Sequence, residues 1–334
     1  MSGTGPASVE LHCHVDGCVR VPTIADLARA QGIELRGDPW TLAVAPSDCA
    51  SLVDYLGAID VALAVLQTPD ALFRAAYELV ETWARDGVLH GEARFAPALH
   101  TRNGLTHREI VDSVADGLRV GGEQFDVDTS LILSCMRPAD PSVTWSVVEL
   151  AATHRAVVGV DVAGPEQGVS LLPHAPAFRA GRDAGLRITV HAGEAAGAEN
   201  VWVAVDELGA ERIGHGIRSV EDEALVRRLA ADRILLEVCP TSNVQTRATP
   251  SLGAHPLNAL RQAGVPVSIS TDARTVSQVT MQSEYAVVRD AFGWQRDDWE
   301  DAQHAALDAA FMSDAARGST RRSLAARRAG RSGS

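Results

Sequence analysis

Apolar and polar positions follow a repeating order along the chain: a short run rich in Val, Ile and Leu is followed by a longer stretch with helical spacing. The apolar runs have the length of buried strands, and none reaches the 20 residues of a membrane-spanning helix. The runs predict eight strands, at residues 8–14, 88–95, 129–135, 157–162, 187–191, 212–214, 234–239 and 266–271.

Helical periodicity separates most of these strands. The predicted helices lie at 70–86, 107–122, 174–184, 199–209, 221–231 and 256–263. Strands that alternate with helices form parallel sheets, and eight such units are typical of a closed barrel. An open doubly wound sheet is the alternative, but no G-x-G-x-x-G turn follows any of the strands. We therefore predict an α/β fold, a single (β/α)8 barrel of the TIM type over residues 1–315.

The stretch 20–86, between the first two strands, is too long for a single crossover helix. Extra helices are therefore expected after the first strand, over the top of the barrel. One apolar helix face within this stretch, with the spacing i, i+3, i+4 and i+7, consists of Leu52, Tyr55, Leu56 and Ile59. This face either packs on the core or forms a hydrophobic lid over a substrate.

Composition narrows the class of protein. A chain of 334 residues with 46% hydrophobic content can form one large core, and its net charge of −13 disfavours nucleic acid, whose binding depends on neutralising phosphates. Residues 1–9 have neither the basic nor the apolar region of a secretory signal. The five cysteines are odd in number and irregularly spaced, as is typical of reduced thiols. A cytoplasmic protein without a membrane or nucleic-acid partner is expected.

The C-terminal segment 316–334 differs from the rest of the chain. It contains six arginines and several Gly and Ser residues, and no acidic residue. This composition predicts a solvated, disordered tail rather than a binding arm.

Lysine is absent, so all 30 basic residues are arginine. The absence excludes Schiff-base chemistry, attachment of pyridoxal phosphate and a P-loop lysine. It also excludes a carboxylated lysine that bridges two metal ions. Metal chemistry in this chain would have to operate without lysine.

Residues able to bind a metal follow several predicted strands, at the end of the barrel where active sites lie. His12 and His14 are two residues apart on the first strand, so both side chains point into the barrel. Two adjacent imidazoles repel each other when protonated, and a metal ion is the simplest reason to pair them. A third histidine and a carboxylate from other strands would complete a set of three nitrogens and one oxygen, which suits zinc better than magnesium or calcium.

Six motifs occur in the order in which they occur in the adenosine deaminase family of the amidohydrolase superfamily. They are H-C-H-V-D-G (12–17), D-V-A-G-P-E (161–166), H-A-G-E (191–194), R-I-G-H-G (212–216), C-P-T-S-N (239–243) and S-T-D (270–272). The resemblance extends to E-A-R-F-A-P (92–97), to C-M-R (135–137) and to the helix around 54–59, so it covers nearly the whole chain. Together these blocks are specific.

The resemblance implies one zinc ion, bound by His12, His14, His191 and Asp272. Zinc lowers the pKa of a bound water to about 7, and the hydroxide would attack the purine carbon that bears the amino group. Glu194 would protonate the adjacent ring nitrogen, a role that requires a carboxyl group of raised pKa. His215 would orient the water and Asp272 would accept its hydrogen bond, after which ammonia leaves.

Substrate contacts follow from the same resemblance. Gly164 would present its backbone N–H to a ring nitrogen, and Asp16 would accept a hydrogen bond from a ribose hydroxyl, unless it only caps its loop. His14 lies beside the substrate in this scheme. The base and ribose pocket would be lined by Met136, Leu52, Tyr55 and Leu56.

One position departs from the family pattern. The family has two consecutive aspartates after the eighth strand, the second on the purine, whereas this chain has Ala273 after Asp272. Loss of a transition-state hydrogen bond typically costs about 3 kcal/mol, unless water or Arg274 replaces it. We predict zinc-dependent deamination of adenosine or 2′-deoxyadenosine to the inosine product. The alternative is a modified or 5′-substituted adenosine, or a related aminopurine, in a specialised nucleoside pathway.

Two other function classes fit less well. An amidohydrolase that cleaves a cyclic amide or ester usually needs the bridging lysine in its two-metal form, and this chain has none. A non-catalytic purine-binding relative should have lost a ligand or Glu194, yet all are present.

Overall fold

The computed structural model describes residues 6–46 and 49–329 and contains eight parallel strands in one barrel. Neighbours along the sequence pair with each other, from first to last. The strands are β1 Ser8–His14, β2 Val88–Phe95, β3 Asp128–Met136, β4 Val157–Ala163, β5 Arg187–Ala192, β6 Arg212–His215, β7 Leu235–Val238 and β8 Val267–Ile269. Each overlaps a predicted strand, so the predicted (β/α)8 barrel is confirmed.

The barrel closes just beyond β8, where the chain pairs with β1. Asp272 forms an isolated parallel bridge with Cys13. Its N–H donates to the His12 carbonyl at 2.9 Å, and its own carbonyl accepts from the His14 N–H at 2.8 Å. The last strand unit is thereby joined to the first.

Helices surround the barrel. Four of them, α1 to α4, precede the crossover helix α5 and confirm the predicted extra helices after the first strand. The helices are α1 Val21–Gln31, α2 Pro39–Ala43, α3 Leu52–Gly57, α4 Asp60–Val65, α5 Pro69–Asp86, α6 His107–Phe125, α7 Pro141–Thr153, α8 Ala175–Asp183, α9 Ala198–Asp206, α10 Glu223–Ala231, α11 Pro240–Gln245, α12 Leu257–Gln262, α13 Arg274–Ser277, α14 Met281–Phe292, α15 Arg296–Ala309 and α16 Asp314–Ala329. The predicted helices did not include α7, α11, α13, α14 and α15.

The ends of α5 show why these segments are helical. The Thr68 hydroxyl accepts a hydrogen bond from the Ala71 N–H, and Pro69 occupies the first turn, where its missing N–H costs nothing. Gly87 ends the helix at φ 83°, a left-handed conformation that favours glycine. The chain then enters β2 directly at Val88.

The last helix corrects the prediction of a disordered tail over 316–334. Residues through Ala329 form α16, and Leu324 is buried with Val9 and Leu307 in one apolar cluster. The Arg317 guanidinium donates to the carbonyls of Ala310 and Met312 after α15. This charged side chain therefore binds the protein, whereas the composition of the segment predicted that it would be solvated. Residues 330–334 lie outside the described part of the chain.

The barrel interior is polar and charged, whereas the apolar core lies between the strands and the helices. On β1, Val9 and Leu11 belong to an apolar cluster with residues of α15, and Glu10 and His12 on the opposite face are also fully buried. Such alternation is the period of a strand. No described helix is both long enough and apolar enough to cross a membrane.

Candidate active site

Four histidines converge at the carboxyl end of the barrel, the end at which barrel enzymes carry their sites. His12 and His14 come from β1, His191 from β5 and His215 from the last position of β6. The His12 ring lies 4.5 Å from that of His191 and 4.7 Å from that of His215, measured between centroids. Residues up to 203 positions apart in sequence, 215 − 12, thus share one small site.

His12 is held so that one ring nitrogen faces this site. Its Nδ1 lies 2.8 Å from Glu237 Oε2, and Glu237 also accepts from Arg94 and Arg212. The carboxylate requires the proton on Nδ1, so Nε2 carries a lone pair. Burial lowers the pKa of His12 well below its ordinary value, so the ring is neutral. Nε2 is buried and has no hydrogen-bond partner among the described residues.

His191 is oriented in the same way, by Asp161. Its Nδ1 lies 3.0 Å from Asp161 Oδ1, which leaves Nε2 facing the site. Burial raises the pKa of Asp161, but its interactions with His191 and Arg94 outweigh burial and hold that pKa below its usual range. His191 Nε2 lies 3.1 Å from His14 Nε2.

Asp272 supplies the oxygen of the donor set. Its Oδ2 accepts a 2.6 Å hydrogen bond from the Ser242 hydroxyl, and its Oδ1 lies 3.6 Å from His12 Nε2 and 3.5 Å from His14 Nε2. Ligand atoms at the corners of a tetrahedron around zinc are about 3.3 Å apart, given bonds of about 2.0–2.1 Å. An unpartnered imidazole nitrogen, a close pair of imidazole nitrogens and one carboxylate oxygen fit a single such cation.

Glu194 lies beside these groups on the loop after β5. Burial, and then the charge of Asp272, raise the pKa of its carboxyl group well above the ordinary value. The Thr246 hydroxyl donates to Glu194 Oε1 at 2.8 Å, and Oε2 lies 3.6 Å from His215 Nε2. The structure therefore places a carboxyl group of raised pKa beside the histidines and Asp272.

Glu166 holds the loop that carries Glu194. Its buried carboxylate accepts four backbone N–H groups, from Gly193 at 2.7 Å, Glu194 at 3.0 Å, Ala195 at 2.7 Å and Ala196 at 2.9 Å. Four converging N–H donors normally form an anion-binding concavity. Here the Glu166 side chain of the protein occupies it, although the sequence motif that contains Glu166 predicted no role for this residue.

His215 combines an unusual backbone with a neutral ring. Its φ is 60°, as that of Asp272 is 62°, in the left-handed region that residues other than glycine seldom adopt. Burial lowers the pKa of His215 to about 3. Asn243 Nδ2 lies 3.0 Å from its Nδ1.

One short helix, α11, with the residue that follows it, orients three of these groups. Ser242 bonds Asp272, Asn243 bonds His215 and Thr246 bonds Glu194. The C-P-T-S-N motif contributed to the family resemblance, but no role was predicted for its residues. Three side chains able to donate hydrogen bonds follow β7, and this feature of the sequence could have indicated that they orient the site.

A small cavity, partly open to solvent, lies above the histidines. Gly164 lines it at φ 101°, and a Cβ there would meet Met136 Cε at 3.0 Å, so glycine is required. The helix face that was predicted to pack on the core or to cover the substrate does both, because Tyr55 is buried and also lines the cavity. The lining residues are His14, Leu52, Tyr55, Leu56, Ile59, Ala163, Gly164, His191, Glu194, His215 and Asp272.

Three residues expected at the substrate lie outside this lining set. Met136 packs behind Gly164. Asp16 is buried, with Oδ1 accepting from the Gly17 N–H at 3.0 Å, and burial raises its pKa to about 6. Ala273 is 1% exposed and packs with Tyr55.

Arg274 does not replace the missing acid. Its buried guanidinium lies 2.8 Å from Asp86 Oδ2 and 3.4 Å from Glu10 Oε2, and is directed away from the cavity. The suggestion that Arg274 contacts the substrate is therefore wrong.

Comparison with known proteins supports the chemistry of this site. The adenosine deaminase family model matches residues 7–326. The adenosine deaminase of Clostridium perfringens is 35% identical over 312 residues, 92% of this chain and 94% of the relative. An adenine deaminase from Arthrobacter aurescens superposes with a TM-score of 0.89 at 29% identity, over 96% of this chain and 98% of the other. An amidohydrolase from Burkholderia ambifaria with bound zinc has a TM-score of 0.88 at 28% identity, over 96% and 90%.

The barrel and its site thus define a hydrolytic deaminase of the amidohydrolase type. Such enzymes use a metal, and the donor set described above fits one. The chain belongs to the adenosine deaminase family.

Proposed function

We propose that this enzyme uses one zinc ion to deaminate an aminopurine nucleoside, with adenosine or 2′-deoxyadenosine as substrate. The observation that carries the proposal is the position of Glu194, a buried carboxyl group of raised pKa, beside neutral imidazoles and the Asp272 carboxylate. Water and the aminopurine are converted to the oxopurine and ammonia.

His12, His14, His191 and Asp272 would hold the zinc. His215 lies within reach of His12 and His191 and could complete an alternative group of three. We exclude it from the ligand set because Asn243 Nδ2 can only donate to its Nδ1, so a neutral His215 carries its proton on Nε2. Zinc in this site would lower the pKa of a coordinated water to about 7 and so provide the nucleophile at neutral pH.

The protein groups around the substrate divide the remaining work. Glu194 would donate its proton to a ring nitrogen, which lets the ring accept electrons as oxygen adds to the carbon bearing the amino group. The Thr246 hydroxyl occupies Oε1, so the proton is directed from Oε2. His215, through Nε2–H, would orient the incoming oxygen. The Gly164 N–H would bind another ring nitrogen, where a side chain would obstruct approach.

The side chains of the cavity favour a nucleoside over a nucleotide. No arginine occurs among its described lining residues, so no cationic side chain there would pair with a 5′-phosphate. A second candidate, a modified or 5′-substituted adenosine, is favoured by Ala273, which makes no side-chain hydrogen bond to a base.

A screen of the zinc-loaded enzyme for released amine tests the proposal. The substrates are adenosine, 2′-deoxyadenosine, 5′-substituted adenosines, N6- and ring-modified analogues, AMP and free adenine, with the Glu194→Gln protein as the control for contaminating deaminases. Ammonia is measured for substrates with an unsubstituted amino group, and the substituted amine for N6-modified substrates, because the N6 substituent leaves with the nitrogen. The highest kcat/KM is expected for adenosine or 2′-deoxyadenosine. A preference for a modified nucleoside selects the second candidate, and release of neither ammonia nor a substituted amine from any of them contradicts the proposal.

Ala273→Asp and Ala273→Asn separate the two candidates further. Ala273 is enclosed by Gly17 and Tyr55, so a carboxylate there would be buried without a partner at a cost of about 1–3 kcal/mol in stability. We expect neither variant to raise adenosine turnover. An increase with unchanged stability would show that alanine alone limits the use of adenosine.

A further inference from the structure

A chain of hydrogen bonds runs from the backbone to the buried face of His215. The Leu257 N–H lies 3.1 Å from His255 Nδ1, and His255 Nε2 lies 3.2 Å from Asn243 Oδ1. Asn243 Nδ2 in turn lies 3.0 Å from His215 Nδ1. The three side chains are at most 6% exposed, so solvent does not compete for these bonds.

The first donor, the Leu257 N–H, sets the direction of every hydrogen bond in this series. A backbone N–H can only donate, so His255 Nδ1 accepts, and the single proton of a neutral imidazole is then on Nε2. Burial lowers the pKa of His255 to about 4, which keeps that ring neutral at neutral pH. His255 therefore donates to the amide oxygen of Asn243.

The amide passes this direction on. If the Asn243 amide were turned over, its NH₂ group would face the Nε2–H of His255, two donors in a buried place. With its oxygen on His255, its nitrogen donates to His215 Nδ1. His215 then carries its one proton on Nε2, 3.6 Å from Glu194 Oε2 at the cavity.

We propose that His255 and Asn243 are positioning residues that hold His215 in the Nε2–H tautomer. The proposal rests on the proposed function for the role of His215, but not for the hydrogen-bond geometry. The tautomer presents a donor to the cavity, where the other tautomer would present a lone pair. It also keeps His215 from acting as a further imidazole ligand beside His12 and His191, with which it could group.

Nuclear magnetic resonance of ¹⁵N-histidine-labelled, zinc-loaded protein tests the proposal directly, with the His215 signals assigned by their loss in His215→Gln. The expected spectrum has an unprotonated Nδ1 and a protonated Nε2 at His215. A protonated Nδ1 in the wild type would overturn the proposal. Because the measurement needs no turnover, it decides the tautomer even if no substrate releases ammonia.

Asn243→Asp reverses the direction with little change in shape. A carboxylate at position 243 accepts from His255 and from His215, and so draws the His215 proton to Nδ1. We expect the ¹⁵N signals to exchange character and kcat to fall about 100-fold, the effect of losing one transition-state donor, with KM little changed. An unchanged tautomer together with wild-type kcat would count against the proposal.

Two variants of His255 separate positioning from packing. His255→Phe retains a ring but removes the donor, so we expect mixed His215 tautomers and a kcat about 10-fold lower. His255→Gln can place an amide N–H where Nε2 was, and kcat and the tautomer should return close to wild type. If His255→Phe and His255→Gln have the same activity as each other, lowered or not, and both keep the wild-type tautomer, the residues serve packing only. Asn243→Asp and the wild-type spectrum decide the matter should His255→Phe not fold.

Discussion

The backbone N–H of Asp272 donates to the carbonyl oxygen of His12 at 2.9 Å, so the bond that closes the barrel joins two of the proposed metal ligands. The side chains of the same two residues also approach each other, with Asp272 Oδ1 3.6 Å from His12 Nε2. Closure of the barrel therefore also brings these two proposed ligands together. A barrel that failed to close would lack the oxygen of its metal site.

Removal of one imidazole should remove the metal. Wild-type protein is expected to contain about one zinc per chain, and His14→Ala should lose it on dialysis, because removal of one of the four protein donors weakens zinc binding. Metal analysis after dialysis is the measurement. His107→Ala, on the partly exposed start of α6, is the control and should retain zinc. Zinc retained at wild-type affinity by His14→Ala would remove His14 from the ligand set.

Glu194→Gln should retain zinc and lose turnover. Glutamine has the shape of the protonated carboxyl group but cannot give up a proton, and general acid catalysis is worth about 10²- to 10⁴-fold. Steady-state kcat together with zinc content is the measurement. Glu199→Gln, exposed on the adjacent α9, should behave as wild type. Full activity in Glu194→Gln would refute the proton-donor role.

Glu166→Gln should lower kcat without removing zinc. In the wild type, the backbone N–H groups of the loop bearing Glu194 all donate to the Glu166 carboxylate. In the variant, the amide NH₂ group would face some of these N–H donors, so this loop would shift. A displacement of about 1 Å at a catalytic group can cost about 100-fold in rate. Gln167→Ala, the exposed neighbour, is the control. Equal kinetics for the two variants would show that the four hydrogen bonds do not position Glu194.

Glu284 should make stability depend on pH. Burial raises its pKa to about 7; Oε2 has a long 3.4 Å contact with the Thr241 N–H, and Oε1 has no hydrogen-bond partner in the described structure. The folded state therefore holds this proton between the unfolded pKa, near 4.5, and about 7, so the contribution to stability is present at low pH and is lost as pH rises through 7.

Glu284→Gln removes this titration. Relative to wild type, its free energy of unfolding should rise by about 3 kcal/mol between pH 5 and pH 8. Urea unfolding of both proteins at the two pH values gives the difference, and zinc linkage cancels because both carry the same site. Glu223→Gln, exposed on α10, should show no such change. A constant difference between Glu284→Gln and wild type would contradict the prediction.

Much of the barrel could be predicted from the sequence because strand signals are local. The run from Ser8 to His14 has both the period of a strand and the H-x-H pair, and the structure places β1 there. The prediction of a disordered tail over 316–334 was wrong because it also rested on local composition alone. The composition of this segment indicates solvent, but Arg317 caps α15 and Leu324 enters an apolar cluster.

Within the candidate site, the sequence determined which residue types are present and predicted which of them would carry the chemistry, and the tertiary structure decided which of their atoms face the site. His12 presents Nε2 because Glu237, 225 residues away, takes Nδ1, and Arg274 turns from the cavity because Glu10 and Asp86 pair with its charge. A donor or a buried charge is directed by its hydrogen-bond partner. No local pattern specifies that partner, because it arrives only when distant strands close the barrel.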